Sequence, residues 1–175
     1  METPTLVTER LNLRPITTDD IDFIFELFKR RETNKYSEYP DLKTRDEAKG
    51  MYESYMKPGF EDHFRVIIEE KETGTPMGTI GLYKYTSAHK RAEIGYDLLK
   101  EYWGNGYITE SVRAIINYGF NDLGLIRIEA TVDPENSRSI RVLERTGFKH
   151  EGTLLKKYYY NESFHDELVY GLIKE

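Results

Sequence analysis

The chain has 175 residues and a mass of 20.6 kDa, enough for one domain over residues 1–175 that buries about two thirds of its unfolded surface. Hydrophobic residues make up 38% and charged residues 32%, the balance of a soluble globular protein, and no apolar run approaches the roughly 20 residues that a membrane span needs. Without cysteine there is no disulfide, thiolate nucleophile or cysteine-bound zinc, and a formal net charge of -6 argues against broad nucleic-acid binding and suits a cationic partner, although acidity also serves solubility alone.

The opening Met1-Glu2-Thr3-Pro4-Thr5 lacks the basic and apolar regions of a signal peptide, which predicts a cytoplasmic protein. Leu6 to Ile16 alternates and predicts a first strand around Arg10 to Arg14, with Leu11 and Leu13 on one face. Thr17-Thr18-Asp19-Asp20 supplies capping oxygens and first-turn negative charge to a helix carrying Ile21, Ile24, Phe25 and Phe28. The polar segment after Arg30-Arg31 reads as a loop to Pro40, and Thr44 opens a second helix that runs to about Lys57. Residues His63 to Glu70, a turn at Glu72-Thr73-Gly74 and Met77 to Tyr83 form a hairpin. Gly78 and Gly81 inside its second arm mark weak points, or places where another backbone or a ligand comes close. The next strand, Arg91 to Leu99, puts Glu93, Gly95 and Asp97 on one face and Ala92, Ile94 and Tyr96 on the other, so one face is wet or functional.

That strand feeds Leu98-Leu99-Lys100-Glu101-Tyr102-Trp103-Gly104-Asn105-Gly106-Tyr107-Ile108-Thr109, a passage from strand through glycine loop to helix. Ile108, Val112, Ile115, Ile116 and Gly119 then paint one helical face. The free N–H groups and positive dipole of the first helical turn would bind a phosphate without any lysine, so the loop suits a pyrophosphate. A dinucleotide fingerprint fails because its third glycine falls on Thr109, and a triphosphate loop fails for want of Gly-Lys-Ser/Thr. A plain strand-to-helix turn fits the glycine spacing equally well.

Beyond the helix, Ile126, Ile128, Ala130 and Val132 point inward from a strand, which completes a strand–helix–strand unit if the two strands are parallel. Ligands of open sheets gather beyond strand C-termini, where the glycine loop lies. Asp133-Pro134 ends the strand, Asn136 caps a helix with Ile140, Val142 and Leu143, and Gly147 stops it. Leu154 to Tyr160, a turn at Asn161-Glu162-Ser163 and Phe164 to Ile173 make a last hairpin. Tyr36 to Tyr39 and Tyr158 to Tyr160 are candidate cleft aromatics or packing residues. His63, His89, His150 and His165 show no metal-ligand spacing, so no metal is implied.

The order of elements, together with Thr8-Glu9-Arg10-Leu11-Asn12-Leu13-Arg14-Pro15, Ala92-Glu93-Ile94-Gly95-Tyr96, Trp103 to Glu110, Asn136-Ser137-Arg138-Ser139 and Thr146-Gly147-Phe148, resembles the GNAT superfamily of acetyl-CoA-dependent N-acetyltransferases. Within it the likeness is to the RimJ/RimL branch, the ribosomal-protein N-terminal acetyltransferases. The resemblance implies a mixed α/β GNAT fold, with a mostly antiparallel sheet of about seven strands, splayed between the fourth and fifth and flanked by about four helices. It implies that Trp103, Gly104, Asn105, Gly106, Tyr107, Ile108 and Thr109 bind the coenzyme pyrophosphate, that Leu98 and Leu99 pair with pantetheine, and that Asn136 contacts the same arm. The superfamily loop usually begins with Arg or Gln and has Gly or Ala at its sixth place, where this chain has Trp103 and Ile108. The tyrosine with which many relatives protonate the departing thiolate falls on Leu143, and in this branch a serine at the place of Ser139 takes that role. Ser139 also reads as an ordinary first-turn helix serine.

Acetyl transfer to an amine asks for an unprotonated nucleophile, a stabilised oxyanion and a protonated leaving group. Glu93 matches the position where some GNAT enzymes keep a glutamate base, and reads equally as an exposed strand carboxylate. The oxyanion donor expected from the resemblance is a backbone N–H near Leu98 or Leu99, freed from ladder pairing by a bulge or splay. Without a cysteine or a Ser-His pairing, direct attack is simpler than an acyl-enzyme. The expected partners are acetyl-CoA and a primary amine, either a protein N-terminus or a small molecule such as a polyamine or aminoglycoside, with neither nucleic acid nor membrane. A homodimer stays open, as does a non-catalytic CoA sensor, which Leu143 would suit.

Overall fold

The computed structural model describes residues 2–36, 41–160 and 162–175. Met1, Tyr39, Pro40, the side chain of Tyr160 and Asn161 of the expected final turn lie outside the described residues. The strands are β1 (Leu6–Val7), β2 (Leu11–Pro15), β3 (Phe64–Glu70), β4 (Pro76–Thr86), β5 (Arg91–Leu98), β6 (Arg127–Val132), β7 (Lys149–Tyr160) and β8 (Ser163–Ile173). The α-helices are α1 (Ile21–Phe28), α2 (Arg31–Asn34), α3 (Arg45–Met51), α4 (Tyr107–Asn121) and α5 (Ser137–Arg145). All eight strands join one open sheet in the order β1-β2-β3-β4-β5-β6-β8-β7. Every pairing is antiparallel except β5 with β6, so the fold is the expected mixed α/β sheet with one strand more than the alternation predicts.

The extra strand is β1, only two residues long, and α2 is a four-residue helix inside the segment expected to be loop. Neither is long enough to show a period. The buried Asn34 side chain anchors α2 by donating to the Phe28 carbonyl, and it also reaches Asp41 Oδ1 at 3.2 Å. The other helix signals act as expected. Thr17 and Thr44 both close capping boxes, with Asp20 and Glu47, and α3 continues through a π-helical turn at Tyr52–Met56.

The sheet is covered on both faces. On one, α4 presses Val112 and Ile115 onto Leu11, Leu13, Phe64, Val66, Leu82, Ile94 and Ile128. On the other, Ile24, Leu27 and Phe28 of α1 and Ala48 of α3 pack with Tyr52, Ile67 and Leu99. One inward position departs from the expectation: Ile126 precedes β6 and is 53% exposed, while Ile128, Ala130 and Val132 are buried.

The feature that makes a site is where pairing stops. Between β5 and β6 the ladder covers only Arg91 to Glu93 against Arg127 to Glu129, although β5 continues to Leu98 and β6 to Val132. Beyond Glu93 the strand keeps only its β4 neighbour, which pairs with it as far as Leu98. This is the splay expected between the fourth and fifth strands, displaced by one in numbering because of β1.

Gly78 and Gly81 are points of close backbone approach within the sheet. A Cβ at Gly78 would stand 2.2 Å from the Asp97 carbonyl oxygen, and one at Gly81 would stand 2.1 Å from that of Phe64. A backbone carbonyl in a paired strand cannot step aside as a side chain can. Gly81→Ala is therefore expected to destabilise the fold by about 2 kcal/mol or more, read as a lower midpoint in urea unfolding, whereas Gly50→Ala, with open space around it, should leave that midpoint unchanged or raised.

Candidate active site

The glycine loop is clamped from the far end of the sequence. Gly104 and Gly106 take φ values of 82° and 81°, a left-handed backbone that side chains strain to adopt. Gly106 is the N-cap of α4, and it makes no side-chain cap bond. Glu110, in the first turn of α4, accepts hydrogen bonds from Thr8 Oγ1 at 2.6 Å, from the Arg10 backbone N–H at 2.9 Å and from Arg10 Nε at 2.8 Å. Arg10 also donates to the Asn105 carbonyl at 3.1 Å and lies 4.6 Å over the Tyr107 ring. The Thr8-Glu9-Arg10 stretch thus ties the loop to the approach to β2 and leaves the first-turn N–H groups of α4 without intrahelical partners.

Trp103 fixes the strand end. Its indole N–H donates to the Leu98 carbonyl at 2.8 Å, and the Arg138 guanidinium lies 4.5 Å over its ring. This stack joins the loop to α5. Leu99 donates its N–H to the Met77 carbonyl at 2.9 Å, which occupies it on the β4 side. Successive strand N–H groups point to opposite edges, so the Leu98 N–H faces the edge that β6 has left. Of the two oxyanion donors expected, the geometry leaves Leu98 available and Leu99 engaged.

A cleft of about 290 Å³ lies here, bounded by β5, the loop, α5 and α2. Leu98, Trp103, Gly104, Gly106, Ile108, Thr109, Asn136 and Ser139 line it, whereas Leu99, Asn105 and Tyr107 are absent from the lining. Asn136 caps α5 by accepting the Ser139 N–H at 3.2 Å. Ser139 Oγ is 2.7 Å from Tyr96 Oη, and burial pushes the Tyr96 phenol up to about 12 despite that bond, so it holds its proton at ordinary pH. Glu93 is not brought to this cleft. It lies in the part of β5 still paired to β6 and is held by Lys84 Nζ at 2.9 Å.

Several lining residues lay outside the sequence expectations. Arg138, Arg141 and Arg145 give one wall positive charge, and their spacing along α5 is legible in the sequence. Glu32 and Thr33 come from the unforeseen α2, and Tyr36, expected as a cleft aromatic, does line the cleft and donates to the Glu135 carbonyl at 3.3 Å. Tyr158 instead hydrogen-bonds Glu167 at 2.9 Å and is absent from the lining. Among the described residues, no cluster of His, Asp and Glu could hold a metal ion, and no helix is long and apolar enough to cross a membrane.

A conformationally demanding glycine loop at a helix N-terminus, beside a strand edge that has lost its neighbour, is the arrangement expected above of an acetyl-CoA-dependent transferase. Residues 10–149 match the acetyltransferase (GNAT) domain family, and the chain belongs to that family. It is 37% identical over 172 residues to the uncharacterized N-acetyltransferase YoaA of Bacillus subtilis (strain 168), covering 98% of this chain and 97% of that one. Among solved structures, a GNAT-family acetyltransferase from Bacillus anthracis superposes with a TM-score of 0.85 at 26% identity, covering 99% of this chain and 98% of that one. A spermidine N-acetyltransferase from Vibrio cholerae, solved with CoA and spermine, has the same TM-score at 23% identity and covers 95% and 96%, a likeness of fold. The protein is an N-acetyltransferase, and its family uses acetyl-CoA.

The loop clamp has a pH signature. Burial pushes the Glu110 carboxyl up, but the hydrogen bonds from Thr8 and Arg10 overcome this and hold its pKa below the usual carboxylate value. A depressed carboxylate stabilises the fold above its unfolded pKa, and that contribution is lost as pH falls through the folded one. Glu110→Gln should therefore lower stability at pH 7 and flatten the acid limb of the stability curve below about pH 4.5, measured by thermal unfolding across pH.

Proposed function

We propose that this enzyme moves an acetyl group from acetyl-CoA to a primary amine by direct attack. One observation carries the reading. The unpaired end of β5, the N-terminus of α4 and the cationic face of α5 meet in a single cleft. The donor set fits the coenzyme: two left-handed glycines keep Cβ atoms out of the cradle, first-turn amides meet a pyrophosphate, and Arg138, Arg141 and Arg145 add positive charge. Acetyl-CoA supplies the acetyl group as an activated thioester.

The protein's own residues then have separate tasks. Backbone N–H groups from Trp103 to Thr109 hold the phosphates, while the strand end at Leu98 and the Asn136 side chain take the pantetheine arm. The Leu98 N–H faces the oxygen on which negative charge develops. Ser139, backed by the Tyr96 hydroxyl, delivers the proton that the departing sulfur needs. The Trp103 loop and the motif order support a place in the RimJ/RimL branch, and with it a protein N-terminal amine as acceptor. A polyamine acceptor is a second reading, favoured by the spermine bound to the Vibrio cholerae neighbour and by two carboxylates, Glu32 and Asp97, in the lining. The cytoplasmic placement and a single domain over residues 1–175 belong to the same proposal.

The test is acetyl-CoA-dependent thiol release with a panel holding a free-amine heptapeptide, spermidine and an aminoglycoside. Trp103 is the sole tryptophan and lines the cleft, so its emission should report CoA binding directly. Gly106→Asp should weaken CoA by more than about tenfold, because it adds charge and a strained φ where phosphate sits. Ser139→Ala should lower kcat by roughly tenfold or more with CoA binding unchanged. Tight CoA binding with thiol release at background for every amine would overturn the enzymatic reading in favour of a sensor.

A further inference from the structure

One half-buried carboxylate in the cleft has no part in the proton transfers described so far. Asp97 follows Tyr96 on β5 and points to the opposite side of the strand, where the buried Arg65 of β3 donates to its Oδ2. Arg65 is also tied to its own side of the sheet: it donates to Thr79 Oγ1 at 2.8 Å and to the Tyr83 hydroxyl, and its guanidinium lies 5.8 Å from the Phe28 ring. Asp97 Oδ1 has no hydrogen-bond partner among the described residues, yet it is not sealed off. The side chain keeps 18% exposure and Asp97 lines the cleft.

Burying a carboxylate is costly unless it is paired, and a pair that leaves one oxygen open to a reaction cleft wastes half its hydrogen-bonding capacity. The cleft is also divided. Arg138, Arg141 and Arg145 stand on α5, beside the phosphate cradle, whereas Asp97 faces the side of the sheet that carries α1 and Arg65. An anion is drawn to the first wall, which leaves the second for the acceptor. We propose that Asp97 is the catalytic residue that accepts the proton of the acceptor amine, and that Arg65 is the positioning residue that holds Asp97 in place.

This assignment rests on the acetyl-transfer reading above. In the step, the amine lone pair forms a C–N bond to the thioester carbon and the C–S bond breaks. The amine enters this step already neutral, its ammonium proton lost to solvent; the nitrogen's surplus proton passes to Asp97 Oδ1 and from there to solvent, and the sulfur takes a proton from the Ser139–Tyr96 pair, which regains one from solvent. A nitrogen bonded to the carbonyl carbon is far more acidic than the free ammonium, so a carboxylate suffices. Burial pushes Asp97 above the usual carboxylate range, against the pull of Arg65, which strengthens it as a base. The ionisable groups facing this pair are Tyr83 of β4, Tyr55 of the π-helical turn, and Glu32 and Tyr36 across the cleft. None supplies a second positive charge, so Arg65 alone sets the balance.

Asp97→Asn is the decisive variant, with spermidine and the free-amine heptapeptide as probes. The expected result is a fall in kcat of about 100-fold with KM changed less than about threefold, and a CoA titration of Trp103 emission matching the wild type. The acid limb of the wild-type pH profile of kcat/KM, where Asp97 gains a proton, should be absent. Arg65→Gln should keep that limb but move it up by about one pH unit, because the lost positive charge no longer favours the carboxylate. Should Asp97→Asn fail to fold with Arg65 left unpaired, the double variant Arg65→Met/Asp97→Asn removes both charges; it should bind CoA and remain inactive. Wild-type kcat in either Asn variant, or an acid limb that survives in Asp97→Asn, overturns the assignment while leaving acetyl transfer standing. Thiol release from neither probe by the wild type removes both.

Discussion

The parallel ladder between β5 and β6 ends after three residue pairs, and the candidate active site is what that ending leaves behind. A strand in mid-sheet normally spends both edges on its neighbours. Here the residues from Ile94 to Leu98 keep β4 on one side only, so their other edge is free for a ligand that can behave as a strand. The cost of an unpaired edge is limited because it lies inside a cleft closed by α5, not along the outside of the sheet. Pairing with β4 and the Leu99 to Met77 bond keep the backbone straight up to the turn. The Leu98 N–H is thereby aimed instead of merely exposed.

That opening would be useless without a fixed loop at its end. Two left-handed glycines in three residues make a loop with many alternatives, and the clamp from Thr8 and Arg10 to Glu110 removes them. Arg10 is committed to this bridge, with its guanidinium shared among Glu110, Asn105 and the Tyr107 ring. The positive charge that lines the cleft comes from α5, and Arg138 is held in place by the Trp103 face. The tryptophan at the head of the loop therefore does two jobs that an arginine there would not, bonding the strand end and presenting a cation from another helix.

Much of this could be read from the residues in order. The glycine loop, the long helix after it, the capping threonines and the parallel strand pair all leave periodic or punctuated signals, and the structure has them where those signals lie. What stayed hidden was either too short or too distant. A two-residue strand and a four-residue helix show no period, so β1 and the cleft residue Glu32 on α2 were invisible. Alternation along β5 correctly separated Glu93, Gly95 and Asp97 from Tyr96, but could not say that Glu93 lies before the ladder ends and Asp97 after it. The distinction depends on a neighbouring strand some 35 residues away in the chain, and local pattern carries no information about where such a pairing stops. The Arg65–Asp97 pair is concealed for the same reason, being a contact between residues 32 apart.

Leu143 stands where many relatives place a tyrosine, and the structure gives it a different task. It is 1% exposed and belongs to the core beneath α5, so it contributes packing and no proton. The hydroxyls near the cleft come instead from two other directions, Ser139 from the first turn of α5 and Tyr96 from β5, and they meet at 2.7 Å across the splay. A lone serine in water is a poor acid, and a buried tyrosine pushed to about 12 does not ionise. On the mechanism proposed above they form a chain along which one proton moves while another replaces it, and the work of one tyrosine hydroxyl is divided between two elements. The division also explains why the pair straddles the gap. On the same reading a donor anchored on both sides of the opening reaches the sulfur that lies in it, and the short β5–β6 ladder keeps the gap open.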